Sequence, residues 1–231
     1  LLLPLLKSEQ ADIRTRAPEA ISLFTPQCGV AIPNLVELLS DTAKNVRLQS
    51  VWSIASDALI WIGTASIPVL EKELPNATGT QFFGITAVFA GLGEHAEAQA
   101  TAPFFLEHLR SGPAHHRWAT MYCLSKLGDV AKPAIPEYLS YLGDSNFNLQ
   151  VIACRALAEQ GQDAKAAIPK LIELTQKKGN VLSTRTHAAM CLGAIGPVDP
   201  EVNLVELFKA MIAEPNAFCQ ERGLIALGRL G

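Results

Sequence analysis

The most chemically loaded stretch of the chain is residues 115–118, His-His-Arg-Trp, with two adjacent histidines. Adjacent residues on a helix point about 100° apart, so the two imidazole rings do not share one metal ion. One interpretation is a polar helix start with a half-buried His116, and the geometry favours it. The other is a recognition surface made of His115, Trp118 and Tyr122, because exposed aromatic side chains mark interfaces.

A second group of potential ligands lies in the loop after Gly93. It holds Glu94, His95 and Glu97, and His108 follows on a later helix. These side chains could hold a divalent cation weakly, but their spacing is not that of a zinc or calcium site. The sequence favours a solvated loop and predicts no metal.

Cys191 and His187 are spaced as a nucleophile and its base, or two metal ligands, would be. They stand four residues apart and therefore share one helix face. No acid that would orient the histidine and no third ligand is near them in the sequence, so we interpret the pair as core packing. The chain also lacks the Walker, Gly-x-Ser-x-Gly, His-Glu-x-x-His and dinucleotide-binding motifs. It is therefore predicted to have no catalytic residue and no cofactor.

The helices that must position these side chains follow an internal repeat. An Ile-Pro dipeptide, or its remnant, recurs with spacings of 29, 35, 35, 33, 33 and 34 residues. Its second residue is, in order, Pro4, Pro33, Pro68, Pro103, Pro136, Pro169 and Asn203. Glycines that close the units keep almost the same period, at Gly63, Gly93, Gly128, Gly161, Gly196 and Gly231. Two markers that share one period predict a repeat architecture.

Each repeat has the sequence pattern of two helices. Proline in the first turn leaves no hydrogen bond unmade, because that N–H has no partner within the helix. The apolar residues that follow have the helical period. A short polar turn comes next, with a capping residue such as Asp41, Ser111 or Asp144, and the second helix runs to the closing glycine, which suits a left-handed position. Two helices of about 10–14 residues cannot bury their apolar faces alone, so the units are predicted to stack as an all-α superhelix, an α-solenoid.

The run Ala-Ile-Pro-Lys-Leu-Ile-Glu-Leu at 167–174 resembles a HEAT-type repeat, particularly the short bacterial form also found in phycobilin lyases. Asp41, followed six residues later by Arg47, is similar to an Asp–Arg pair that forms a ladder along the stack in that family. The resemblance covers essentially the whole chain and implies a HEAT-like α-solenoid of about seven two-helix repeats. It also implies that the second helices line a concave side and that partners bind there.

Outward positions on the second helices are the predicted partner-binding surface. The candidate binding residues are His115, Trp118, Tyr122, Asn148, Arg155 and Thr186. The units are predicted at about 1–31, 32–66, 67–101, 102–134, 135–167, 168–201 and 202–231, within a single domain covering 1–231. In the second unit 16 residues separate Arg47 from Gly63, against 11 at matching positions elsewhere, which predicts a second helix about five residues longer there.

Composition narrows the choice of partners. The net charge is −3 and the basic residues are dispersed, which argues against nucleic acid, because phosphate binding is driven by clustered Lys and Arg. No apolar run approaches the ~20 residues of a membrane span. The five cysteines are odd in number, which indicates buried free thiols and favours a reducing compartment such as the cytoplasm. The chain starts without methionine in what looks like a repeat helix, so we expect a fragment of a longer protein.

These observations predict a non-enzymatic scaffold or protein–protein interaction module, either an accessory subunit or part of a larger protein. It would bind a protein partner through the concave helix face, and whether a small molecule also binds is left open. One alternative is tetrapyrrole handling of the phycobilin-lyase type, which the repeats resemble. Another is a HEAT-like alkylpurine DNA glycosylase, whose site resembles aromatic residues beside a carboxylate, here Trp52, Asp57 and Trp118.

Overall fold

The computed structural model describes residues 2–23, 27–176, 179, 181–196 and 203–230. Within those ranges the chain is helical apart from turns and loops. It has no β-strand there, and its one β-type contact is an isolated bridge between Lys44 and Ser50. The predicted all-α helical-repeat fold is confirmed.

The α-helices of the described ranges are numbered in chain order. They are α1 (Ala11–Ser22), α2 (Ile32–Leu38), α3 (Val51–Ile62), α4 (Ile67–Glu73), α5 (Gly79–Gly91), α6 (Ala96–Gln99), α7 (Ala102–Ser111), α8 (Arg117–Lys126), α9 (Ile135–Tyr141), α10 (Phe147–Gln160), α11 (Ile168–Gln176), α12 (Leu182–Ile195), α13 (Leu204–Ile212) and α14 (Ala217–Gly228). Short 3-10 helices cover Leu3–Lys7, Gln27–Ala31, Gly63–Ser66, Leu74–Asn76, Ala114–His116, Gly128–Ala134 and Gly161–Ala167.

These helices form pairs at the period seen in the sequence. The 3-10 helix Leu3–Lys7 precedes α1, and the later pairs are α2 with α3, α4 with α5, α7 with α8, α9 with α10, α11 with α12, and α13 with α14. The first helix of a pair begins at the residue before the repeated proline, as at Ile32 and Ile135, so the proline lies in the first turn, where it is tolerated. The chain divides into two compact units, 1–105 and 106–231, which we describe separately. A single continuous domain stays a prediction.

The closing glycines end the second helices as predicted at four positions. Gly63, Gly128, Gly161 and Gly196 have φ between +52° and +82°, a region that side chains disfavour. Gly93 does not have a positive φ, and Gly231 lies outside the described residues.

Asparagines, and not the predicted residues, cap two second helices of residues 106–231, α10 and α14. The side chain of Asn146 accepts a hydrogen bond from Asn148 N at the start of α10, and that of Asn216 accepts from Phe218 N and Cys219 N at the start of α14. Asp144 instead accepts from Asn146 N within the turn before α10. The Ser111 hydroxyl donates to the carbonyl of Glu107 in its own helix, so this predicted cap was wrong.

In residues 1–105 the second helices pack in series, α1 on α3 and α3 on α5, and α2 packs on α3. Leu35, Leu59 and Phe82 are completely buried in this core. Gly91 permits the close approach of two second helices, because a Cβ there would lie 2.5 Å from a side-chain carbon of Ile60.

In residues 106–231 the second helices α8, α10, α12 and α14 pack side by side in chain order. The first helices α9, α11 and α13 each pack on the second helix that follows. Tyr138, Leu171 and Phe208 carry completely buried side chains from these first helices into the core. The side of the second helices that faces away from the first helices remains open, and it carries most of the candidate site.

The second pair departs from the sequence prediction. Helix α3 begins at Val51 and has 12 residues, so the extra residues of this unit lie in the preceding loop, 39–50, and the predicted longer helix is wrong. The side chain of Asn45 holds that loop in place by accepting hydrogen bonds from the N–H groups of Arg47 and Gln49. Leu48 then adopts a φ of +61°, which no helix accommodates.

Polar ladder contacts join neighbouring pairs, but with other partners than the sequence suggested. Asp41 binds the guanidinium of Arg14 from α1 at 2.6 Å, while Arg47 is exposed in the loop. Arg185 of α12 makes the same kind of contact with both oxygens of Glu214, at 3.1 and 2.5 Å. In both contacts the carboxylate follows the first helix of one pair, and the arginine belongs to the second helix of the preceding pair.

The run Val51–Asn76 is long and apolar enough, by length and composition alone, to cross a membrane, with a mean hydropathy of 1.4. It is not one helix in the fold. It is divided at Gly63, and α3 alone is shorter than the ~20 residues a span requires. One such run is weak evidence for a membrane span.

Candidate functional site

Two repeated positions form the open side of the second helices in residues 106–231. Six residues before each closing glycine stand Tyr122, Arg155, Met190 and Ile225, and two residues before it stand Lys126, Glu159, Ala194 and Arg229. All eight side chains are half-buried or exposed. We call these eight residues, together with Trp118, the second-helix face.

An aromatic pair occupies the α8 part of this face. Trp118 is 40% exposed, and its ring stacks on that of Tyr122 one helical turn later, with centroids 5.5 Å apart and planes at 11°. Stacking fixes both rings at the surface while leaving much of the indole accessible. The sequence prediction that Trp118 and Tyr122 reach the surface together agrees with this geometry.

His115 is exposed at the start of α8, but its ring packs edge-on against that of His116, with centroids 4.3 Å apart. His116 is only 2% exposed, so it is more deeply buried than the half-buried residue that the sequence suggested. Its Nδ1 lies 3.0 Å from Nε2 of His108. Burial lowers the pKa of His108, and it lowers the pKa of His116 to about 4, with the charges of His115 and His108 acting in the same direction. The His116 ring is therefore a neutral core group at pH 7, and it pairs with the half-buried ring of His108.

A cleft of about 280 Å³ opens between α10 and α12 on the same face. Arg155 and Glu159 of α10 form one wall, His187 and Met190 of α12 form the other, and Arg229 stands at one end. Cys154, Ala158, Cys191 and Ala194 complete its lining. Arg155 is thus a predicted residue that the fold places at a concave site.

Arg155 and Arg229 line the cleft, and Arg222 of α14 contacts Met190 of the cleft wall. Arg229 donates through Nη1 to the carbonyl of Met190 at 3.3 Å. Arg222 places its Nη1 3.3 Å from the Met190 sulfur and its guanidinium 4.9 Å from the centre of the Phe218 ring. Neither Arg222 nor Arg229 was predicted from the sequence. The repeat nevertheless aligns them with α10: Arg229, two residues before Gly231, matches Glu159, and Arg222, nine residues before it, matches Ile152.

His187 and Cys191 are not organised as a base and a nucleophile. The Nδ1–H of His187 donates to the carbonyl of Ser183 at 2.7 Å, and burial lowers the pKa of this histidine, with Arg155 and Arg222 adding to the effect. Cys191 is completely buried, and burial raises the pKa of its thiol; burial also raises the pKa of Cys154 to about 12. Both thiols stay protonated at neutral pH, as expected of core residues.

Thr186 is a correction to the predicted surface. Its side chain is completely buried, and its hydroxyl donates to the carbonyls of Leu182 and Ser183 in its own helix. The reason is packing: α12 has α10 on one side and α14 on the other, so this position lies in the interface between helices. Asn148, by contrast, is exposed in the first turn of α10.

Residues 1–105 carry exposed apolar side chains that sequence analysis did not assign to a site. Val46 and Leu48 of the loop 39–50 are 81% and 77% exposed, and Trp61 at the end of α3 is 75% exposed. A cleft of about 380 Å³ lies between this loop and α1, lined in part by Asp12 and Arg16. The feature of the sequence that could have indicated this surface is the extra length between the two helices of the pair, which the structure places between Leu38 and Val51.

The residues of the glycosylase alternative lie in both compact units. Trp52 is half-buried and Asp57 is exposed on α3, where partial desolvation raises the pKa of Asp57. Trp118 belongs to the unit 106–231.

The acidic loop after Gly93 is exposed at Glu94, His95 and Glu97. In the described parts of the chain no three His, Cys, Asp or Glu side chains converge as metal ligands would. The segment is exposed as the sequence suggested, but it is a loop only as far as His95, because α6 begins at Ala96 and contains Glu97.

Residues 135–228 match the sequence profile of HEAT repeats. No curated protein sequence matches the chain. Among solved structures, an engineered protein is 17% identical, with a TM-score of 0.58 over 99% of this chain and 94% of its own. A designed armadillo repeat protein in complex with the peptide (KR)4 is 13% identical, with a TM-score of 0.60 over 93% of this chain and 99% of its own. A second designed armadillo repeat protein is 15% identical, with a TM-score of 0.58 over the same shares. The resemblance to HEAT-like helical repeats is confirmed; at these identities the structural likeness concerns the fold alone.

Proposed function

We propose that this chain of HEAT-like helical repeats is a non-enzymatic protein-binding module that holds its partner on the second-helix face of residues 106–231. The fold is typical of protein-interaction scaffolds, and the similar designed armadillo repeat protein was solved with a bound peptide. The observation that carries the proposal is the stacked, exposed pair of Trp118 and Tyr122 beside a cleft on the same helical layer.

The aromatic pair suits partner binding for a physical reason. Trp and Tyr offer a large contact area with few rotatable bonds, so little entropy is lost when they become buried. Stacking immobilises Trp118 further before any partner arrives. Residues of this kind dominate the binding energy of protein interfaces.

The buried thiols support the compartment that the sequence favoured. All five cysteines are buried and free, as expected of a protein made where disulfides do not form. We infer that the module works in a reducing compartment, as an accessory subunit or as part of a larger protein. The tetrapyrrole and DNA glycosylase alternatives stay predictions that no observation in the described structure favours.

A selection from phage-displayed random dodecapeptides tests the proposal. We expect the intact chain to enrich peptides, and their affinity to fall about tenfold or more in the double variant Trp118→Ala/Tyr122→Ala, since aromatic anchors of interfaces are worth 2 kcal/mol or more, about tenfold in Kd for each 1.4 kcal/mol. The control is Trp61→Ala, which removes an even more exposed indole from residues 1–105. If no peptide is enriched, or if the enriched peptides bind the double variant as tightly as the wild type, the proposal is wrong.

A further inference from the structure

We propose that the cleft between α10 and α12 binds the carboxylate side chains of an acidic partner segment through Arg155 and Arg229, which line it. Arg222 lies outside this lining and contacts Met190 of the cleft wall. We call these three arginines the arginine cluster. The inference rests on the proposed function and names the chemistry of the partner.

The arginine cluster makes no ion pair with a carboxylate among the described residues. Elsewhere in residues 106–231 the arginines Arg110 and Arg185 are paired with Glu137 and Glu214, and Arg117 lies over the ring of Tyr141. None of the three cluster arginines has a carboxylate within 4.0 Å among the described residues.

The carboxylate that lines the cleft, that of Glu159, already forms an ion pair with Lys126. Glu159 lines the cleft, but one of its oxygens is 2.5 Å from the ammonium of Lys126 on α8. The positive charge of the arginine cluster is therefore not cancelled by the wall of its own cleft.

Two members of the cluster, Arg222 and Arg229, are held in position before binding. Met190 contacts Arg222 through its sulfur and Arg229 through its carbonyl, and the Arg222 guanidinium lies over the Phe218 ring. Each guanidinium has five N–H donors, so these contacts leave donors available. A planar guanidinium binds a carboxylate with two parallel hydrogen bonds, and immobilising it beforehand reduces the entropy lost on binding.

The size of the cleft points to side chains of a peptide and not to a cofactor. About 280 Å³ lies at or below the lower end of typical small-molecule pockets, and Ala158 and Ala194 give the lining short apolar side chains. The cluster is also compact, whereas nucleic acid needs cations along a track of phosphates. An acidic peptide segment with one or two carboxylates at this point fits both observations.

The test is the amino-acid composition of the dodecapeptides selected by the intact chain. We expect the enriched pool to contain more Asp and Glu than the starting library. Its peptides should lose about tenfold or more in affinity for Arg155→Ala/Arg229→Ala, as expected for the loss of charge-assisted bidentate contacts. Both side chains are exposed, so the variant should fold, which circular dichroism checks.

A matched control removes the same charge from another surface. Lys170→Ala/Lys209→Ala acts on α11 and α13, where each lysine pairs with a glutamate three residues away, and should leave the affinity for the acidic pool unchanged. Arg155→Lys/Arg229→Lys keeps the charge but not the planar fork, and should give an intermediate affinity.

Three outcomes would overturn the inference. The first is a peptide pool that is not enriched in Asp and Glu but still binds the Trp118→Ala/Tyr122→Ala variant less tightly than the wild type. That result leaves the proposed function intact and refutes the arginine cluster as a carboxylate site. A wild type that enriches no peptide refutes both. Binding of fluorescein-labelled oligothymidylate that is lost in Arg155→Ala/Arg229→Ala would assign the cleft to phosphate instead.

Discussion

At the scale of single residues, the polar groups of this chain divide into those buried for packing and those available to a partner. His116 is buried and pairs with the half-buried His108, while Arg155 and Arg229 stay exposed at a cleft. Residue type does not distinguish the two groups. What distinguishes them is whether a neighbouring helix covers the position.

The buried His116 predicts a loss of stability in acid. Its pKa in the fold is about 4, below the ordinary value of about 6.5, so the unfolded chain binds its proton first as the pH falls. The stability that the neutral ring contributes is complete above about pH 6.5 and is lost between there and pH 4. We expect a decrease of at least about 1.4 kcal/mol in the free energy of unfolding, the equivalent of one pKa unit.

Urea unfolding at neutral pH and at about pH 4.5 measures this decrease. His116→Gln has no titrating ring and should show a smaller decrease than the wild type. His95→Gln, at an exposed histidine, is the control and should follow the wild type. Parallel decreases in all three proteins would show that other groups cause the acid sensitivity.

At the scale of elements, the close packing of second helices depends on glycines in their contact surfaces. Gly193 of α12 lies so near α14 that a Cβ would be 2.7 Å from the carbonyl oxygen of Ala226. Gly193 lies inside its helix, where its low helix propensity is offset by the contact that it permits. Gly91, the last residue of α5, faces the end of the Ile60 side chain, which can move aside more easily than backbone.

Replacing Gly193 with alanine should therefore destabilise the protein. The new methyl group meets backbone atoms of α14, which cannot turn away, and overpacking of this kind costs about 1–3 kcal/mol. Gly228→Ala is the matched control, because a Cβ there meets nothing within 4 Å. It should leave the free energy of unfolding unchanged or raise it by up to about 1 kcal/mol. Equal effects of both substitutions in urea unfolding would contradict the close contact.

At the scale of the whole molecule, stability comes from many similar contacts between neighbouring helix pairs. A helical repeat array is stabilised by its units and by the interfaces between nearest neighbours. Ile168, the first residue of α11, is 7% exposed in one such packed position. His115 is exposed in the short 3-10 helix between α7 and α8.

Ile168→Asp should strongly destabilise the protein, by about 3 kcal/mol or more, because it buries a carboxylate without a partner. His115→Ala should change the free energy of unfolding by no more than about 0.5 kcal/mol, as exposed substitutions usually do. Chemical unfolding followed by circular dichroism compares the two variants. A wild-type unfolding curve for Ile168→Asp would mean that the repeat phase read from the Ile-Pro marker is wrong.

The sequence by itself determined the helical repeat, because proline, glycine and apolar period act locally and recur in every unit. Helices begin at Ile32, Ile67, Ile135 and Ile168, where the repeat marker predicts them. Two local predictions failed. Gly93 does not have the positive φ of the other described closing glycines. The extra residues between Arg47 and Gly63 were counted correctly, but they lie in a loop held by the side chain of Asn45 and not in a longer helix.

The tertiary structure alone decided which of the predicted surface residues reach solvent and which arginines meet. Thr186 and Trp118 occupy matching positions of their repeats, ten residues before the closing glycine. Packing on both sides of α12 buries the threonine, while the tryptophan stays 40% exposed. Arg155 and Arg229 are 74 residues apart in sequence, and only the side-by-side packing of α10, α12 and α14 brings them to one cleft. Contacts between helices depend on every neighbour at once, so no local pattern contains them.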